Sequence, residues 1–272
     1  MRKTVLAIAA LGCATGAALG QSALVVHGGA AAGAPLGGEL GSIDLQTGAY
    51  TSIGTPLPGV GLTGVTFVGN RLFASTANLS LIEINPNDGS LISETSFTGA
   101  GFGPNDRIND LTTAPDGAIY AFGRIGGTDS LLTVTQGGSL TNLGAIPSTG
   151  GFGAGAFDGQ GRLWGDRAAT PDGVVWELNP SDGSLIASLN GGPQTGLLGL
   201  GFDPVSGLLV GSECCGEGLG EAVYLIDPDS GATSLLINYG DGRRIQDFAV
   251  IPAPGAMGLV GLSLLAGVRR RR

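Results

Sequence analysis

Glu83-Ile84-Asn85-Pro86-Asn87-Asp88-Gly89 is one of four close copies of a single phrase, and its reading decides the fold. The others run Ser42 to Gly48 (SIDLQTG), Glu177 to Gly183 (ELNPSDG) and Leu225 to Gly231 (LIDPDSG), and a looser copy, LTVTQGG, spans Leu132 to Gly138. Each copy is the end of an apolar strand followed by a tight turn. Asn or Asp bonds its own backbone there, Pro fixes φ and the closing Gly accepts φ > 0. The closing glycines are 41, 49, 45 and 48 residues apart, a period of about 45.

A second phrase interleaves with the first, as in GVTFVGNRLF from Gly64, LTTAPDGAIY from Leu111, GAFDGQGRLW from Gly155 and LGFDPVSGLL from Leu200. It reads as strand, tight turn, strand. Each repeat therefore supplies two hairpins, or four strands, which is the unit of a β-propeller blade. Five four-stranded blades are expected. An outer-hairpin phrase stands near the beginning, at 38–54, and a lone inner-strand phrase, Ile245 to Val250, at the end. Pairing the N- and C-terminal strands in one blade would close the ring and protect its edges. The competing all-β readings are a sandwich and an open solenoid. The repeats are similar to the generic inner-strand, D-P-x-x-G, outer-strand phrases of bacterial surface propellers over most of 38–251, a likeness that implies a fold and no activity.

Composition agrees with short strands and turns. Glycine accounts for 52 of 272 residues without a collagen period, which disfavours helices. Basic residues sit at the ends: between Lys3 and Arg269 there are 7 arginines, no lysine and all 22 acidic residues, a net charge of −15. Such a domain repels nucleic acid and anionic lipid. His27 is the only histidine, which argues against a Ser-His-Asp triad or a multi-histidine metal site.

The two ends read as addresses. In residues 1–20, Arg2 and Lys3 precede the apolar Val5 to Gly12 and a small-residue cleavage site, Ala18-Leu19-Gly20: a signal-peptide helix removed by signal peptidase. In 252–272, Pro252-Ala253-Pro254 precedes an apolar stretch from Gly255 to Val268 and then Arg269, Arg270, Arg271 and Arg272. As a short helix of about 14 residues the stretch would reach about 21 Å, less than the hydrocarbon core of roughly 30 Å. This tail resembles the PEP-CTERM sorting signal of Gram-negative bacteria, with alanine where that signature carries glutamate. The resemblance implies cleavage by an exosortase, transient membrane association, delivery to the cell surface or extracellular matrix, and association with exopolysaccharide. An ordinary C-terminal membrane anchor is the alternative. The propeller-like domain then occupies 21–251.

Candidate sites follow from the fold. Propellers bind ligands at a mouth of the central channel, and two inner-strand starts are alike: Arg107-Ile108-Asn109-Asp110 and Arg244-Ile245-Gln246-Asp247. Asp110 and Asp247 are expected in or near the channel, with Asp106, Arg107, Arg243 and Arg244 at its rim, holding a ligand or satisfying each other. The Asp-Pro-x-x-Gly turns imitate calcium loops, yet the twelfth position holds Asn238 or Ser96 rather than glutamate, so they read as plain turns. Gly151 to Ala156 imitates a dinucleotide fingerprint but continues into turn and strand, with no helix N-terminus for a pyrophosphate. Cys214 and Cys215 are disulfide candidates; their Cα atoms, about 3.8 Å apart, would make the bond strained. No catalytic residue, metal site or cofactor is assigned, with Ca²⁺ left open. The sequence thus points to an exported, non-enzymatic binding or structural module, against a secreted lactonase-like hydrolase using channel carboxylates and Ca²⁺.

Overall fold

Alternation of apolar strands with Asx-Pro-Gly turns is what the chain shows. The computed structural model describes residues 22–27, 37–103, 106–148, 151–166, 174–190, 196–213, 222–239 and 244–251, and among them there is no helix. Residues 1–20 and 252–272, expected to be a signal peptide and a sorting tail, lie outside the described residues, as do Arg243, Cys214 and Cys215.

In chain order the strands are β1 (Ser22–His27), β2 (Leu40–Asp44) and β3 (Tyr50–Gly54), then β4 (Leu62–Val68), β5 (Arg71–Thr76), β6 (Ser80–Ile84) and β7 (Leu91–Ser96). After the short β8 (Thr98–Gly99) come β9 (Arg107–Thr113), β10 (Ile119–Ile125), β11 (Thr128–Val134) and β12 (Ser139–Ala145). The fourth group is β13 (Ala154–Phe157), β14 (Leu163–Asp166), β15 (Val174–Leu178) and β16 (Leu185–Asn190). The last is β17 (Leu197–Asp203), β18 (Leu208–Glu213), β19 (Ala222–Ile226) and β20 (Thr233–Asn238), followed by β21 (Ile245–Val250). Each group is an antiparallel meander, and β8 adds a fifth, parallel strand to the outer edge of the third blade.

The closing blade has the order β21-β1-β2-β3, so the last strand of the chain is innermost and pairs with the first. The expected joining of the two ends is therefore present, with β1 as a second strand that the repeat phrases did not mark. Inner strands β4, β9, β13, β17 and β21 pack side by side around a five-membered ring, with β21 against β4 completing it. The chain is a five-bladed β-propeller.

Position in a blade sets the burial pattern. Inner strands are covered on both faces by neighbouring blades, so β13 is buried at all four residues, whereas the outer β7 is exposed at all six. The core is a set of apolar clusters between successive blades, such as Leu24, Leu40, Val65, Leu72 and Ile82 between the closing and second blades.

The recurring turn glycines do more than turn. Gly48, Gly89, Gly138, Gly183 and Gly231 all have positive φ, between 71° and 78°. Each also touches the preceding blade: Gly48 the side chain of Ile237, Gly89 the backbone of Gly54, Gly138 that of Ser96, Gly183 the side chain of Leu131, and Gly231 the carbonyl of Asn190. A Cβ at any of the five would lie 2.7 to 3.1 Å from that neighbour. The turn phrase is thus also a wedge between blades, repeated five times around the ring.

Candidate functional site

At one level of the channel the five inner strands present Gly64, Asp110, Ala154, Gly199 and Asp247, with room for only two large side chains. A Cβ on Gly64 would lie 2.4 Å from the amide nitrogen of Leu111, and one on Gly199 2.4 Å from Cα of Asp247. The two carboxyls fill the space these residues leave.

Asp110 and Asp247 are fully buried and hydrogen-bonded to one another. Asp110 accepts the amides of Leu111 (2.7 Å) and Gly155 (2.5 Å). Asp247 accepts those of Val65 (2.6 Å) and Phe248 (2.7 Å), and that of Leu200. These donors belong one each to β4, β9, β13, β17 and β21, so two side chains tie all five blades at the axis. Burial raises the Asp110 carboxyl well above its ordinary value, and the charge of Asp247 adds to the shift. Burial also lifts Asp247, to about 7, against the pull of Asp110 and the amides. Like-charged carboxyls in contact without water keep at least one proton between them.

One residue further along the inner strands the channel widens into a vestibule of about 380 Å³, at the mouth where those strands end. Every blade contributes to its wall. Thr66, Thr112 and Thr113 bring hydroxyls, Phe67, Phe157, Phe202 and Phe248 bring rings, and no charged side chain lines it. The hydroxyls of Thr66 and Thr113 bond each other at 2.8 Å, and Thr112 Oγ1 accepts the amide of Phe157 at 3.4 Å, so the polar groups are fixed across blade boundaries.

Beside the vestibule lies a polar cleft between the fourth and fifth blades. Asp158 there accepts Trp164 Nε1 (2.9 Å) and Arg162 Nε (2.6 Å), and Arg162 reaches on to Asp229 of the next blade at 2.8 Å. Burial works to raise the Asp158 carboxyl, but the Trp164 and Arg162 donors outweigh it and hold the group low. Arg71 plays the same part between the second and third blades, bound to Glu83 and to Gln136 and lying over Phe73.

Sequence reasoning placed the two aspartates in the channel, and there they are. Their oxygens are committed to backbone amides and to each other. The rim residues are not gathered around them: Asp106 fastens a loop, accepting the amides of Gly103 (2.7 Å) and Gly126 (2.8 Å), while Arg107 is exposed and Arg244 half-buried at the mouth where the inner strands begin. The vestibule stands at the opposite mouth, and its threonines and phenylalanines were missed. The signal was available, because Thr66, Phe67, Thr113, Phe157 and Phe202 are third or fourth residues of the inner-strand phrase, next to the turn.

The turn carboxylates are likewise occupied. Asp227 accepts the amide of Asp229 at 2.8 Å and the hydroxyl of Ser230 at 2.8 Å, and Asp44 accepts the amides of Gln46 (2.9 Å) and Thr47 (2.8 Å), bonds that hold both carboxyls below the ordinary range. Among the described residues no group of three His, Cys, Asp or Glu side chains converges as a metal site would require.

No protein-family model matches the sequence, and no curated protein matches it. The chain is similar in structure to virginiamycin B lyase from Staphylococcus aureus, at 16% identity and a TM-score of 0.46, over 74% of this chain and 63% of that one. It is similar to a protein of unknown function from Bacteroides caccae, at 16% identity and a TM-score of 0.49, over 82% and 74% of the two chains. Glutaminyl cyclase of Myxococcus xanthus matches at 14% identity and a TM-score of 0.46, over 74% of each. Strand order and ring closure, rather than these distant likenesses, establish the propeller.

Proposed function

We propose that this chain is an exported binding module that takes a neutral, ring-shaped group, such as the end of an exopolysaccharide chain, into the vestibule. The observation that carries the reading is the chemistry of the wall: three fixed hydroxyls and four aromatic rings without a charge. Rings offer apolar faces, and threonine hydroxyls both donate and accept, a combination suited to a sugar ring. About 380 Å³ lies at the small end of ligand pockets, the size of one or two sugar units. Export to the surface rests on the two end segments of the sequence, with signal peptidase and an exosortase as the processing partners. A hydrolase would need channel carboxylates free to hold Ca²⁺ or move a proton to substrate, and Asp110 and Asp247 are engaged by five amides instead.

The test is titration calorimetry of neutral oligosaccharide fragments against the purified domain and against Thr113→Trp, which fills the vestibule mouth. Saturable binding without turnover, lost in the variant while its melting temperature is retained, supports the proposal. Binding that Thr113→Trp leaves intact, or hydrolysis of a substrate that stops on chelation, sinks it.

A further inference from the structure

The polar cleft between the fourth and fifth blades is continuous with the vestibule. Gly159 and Phe202 line both, so the two cavities share a wall and open on one face of the ring. The cleft holds about 320 Å³ and extends from the inner hairpin turns of the two blades to the outer β19–β20 turn, which carries Asp227 and Asp229. The shared wall is bare at Gly159, where a Cβ would lie 3.3 Å from the Phe202 ring. Gly159 is exposed and its φ lies outside the left-handed region, so the turn itself does not call for glycine there.

We propose that the cleft is a second subsite, which takes the next unit of the chain whose end sits in the vestibule, and that this unit carries no acidic group. The proposal rests on the reading of the vestibule as a sugar site. A ligand leaving the vestibule over Gly159 and the edge of Phe202 meets a wall of different chemistry. Gln160 is exposed there, with a side-chain amide that both donates and accepts, and Asp229 is exposed while one of its oxygens holds Arg162. Arg162 is gripped from both sides, by Asp158 at 2.6 Å and Asp229 at 2.8 Å, and lies over Trp164, so its guanidinium is ordered before any ligand arrives. These groups suit the ring hydroxyls of a second sugar. Charge sets the limit: three carboxylates, Asp158, Asp227 and Asp229, line the cleft with one arginine that two of them already pair. A uronic acid would add a fourth carboxylate to that set, and like charge across an interface rejects a partner.

The experiment is titration calorimetry of the purified domain with cellobiose, lactose, mannobiose and diacetylchitobiose, with the monosaccharides they contain, and with aldobiouronic acids, in which one unit is acidic. A disaccharide that binds is expected to do so about tenfold more tightly than its monosaccharide, the gain of one or two added hydrogen bonds, and the aldobiouronic acids are expected not to bind. The advantage of disaccharide over monosaccharide should disappear in Gly159→Val, which raises the shared wall, and shrink in Gln160→Ala, a change at an exposed turn position. A disaccharide no tighter than its monosaccharide, or an advantage that both variants retain, overturns the subsite and leaves the vestibule reading intact. An aldobiouronic acid bound as tightly as a neutral disaccharide overturns the charge limit. Absence of binding by every one of these sugars overturns the vestibule reading, and the subsite with it.

Discussion

Raising the pH from 5 to 7 should weaken this propeller through the axial carboxyl pair. Both aspartates have native values raised above the 3.8 of an unfolded chain, Asp247 to about 7. For an acid with a raised native pKa, the stabilising proton is fully present in both states below about pH 4. Above that the unfolded chain gives it up while the native pair keeps it. Each proton held only by the native state costs about 1.4 kcal/mol per pH unit, so stability should fall by about 3 kcal/mol or more between pH 5 and 7. The turn carboxylates held low, Asp44, Asp88, Asp182 and Asp227, act in the other direction but only as the pH falls below 4, outside this window.

In Asp110→Asn the side-chain amide donates to Asp247, as the Asp110 carboxyl does, but carries no titrating proton. The variant should lose about 1–3 kcal/mol at pH 5, because one buried amide of Leu111 or Gly155 now faces a donor, and its pH slope should flatten. His27 is common to both proteins, so the difference between the slopes isolates the pair. Urea unfolding followed by fluorescence of the buried Trp164 and Trp176, at each pH unit from 5 to 8, measures both. A wild-type stability equal at pH 5 and 7, or an Asp110→Asn slope identical to wild type, refutes the shared-proton argument.

Gly199→Ala places a Cβ 2.4 Å from the Cα of Asp247, where only backbone could yield, and should cost about 3 kcal/mol or more by chemical denaturation. Gly89→Ala combines a φ of 71° with the wedge against Gly54; about 1–3 kcal/mol is expected from its melting curve, and a neutral result would show that the turn does not bear on the preceding blade. Arg162→Met removes the link from Asp158 to Asp229 but leaves the Trp164 donor in place, so a loss of about 1–2 kcal/mol is expected by urea titration; a larger loss would mean that Asp158 cannot be satisfied without the guanidinium.

Much of the fold was legible because propeller blades are local. A hairpin is specified by residues within a dozen positions of each other, so Pro86 with Gly89, or Pro228 with Gly231, announces its turn wherever the blade ends up. Strand β1 was not legible, since Ser22 to His27 follows directly on another apolar segment and lacks the turn phrase. Asp110 and Asp247 could be assigned to the channel from the likeness of their two segments, but not their role. That they bond each other and five amides depends on β9 and β21 standing across the same ring from Gly64, Ala154 and Gly199, residues up to 183 positions away.

The sequence by itself determined the repeat, the preference for five blades and the closing of the ring by its two ends, because each rests on short-range turn chemistry. Only the tertiary structure decided that the turn glycines wedge successive blades, that the axial carboxyls are committed to backbone amides, and that an uncharged vestibule opens at the mouth where the inner strands end. Those outcomes come from packing five inner strands around one axis, where the space left at each level is shared among residues that no local pattern connects.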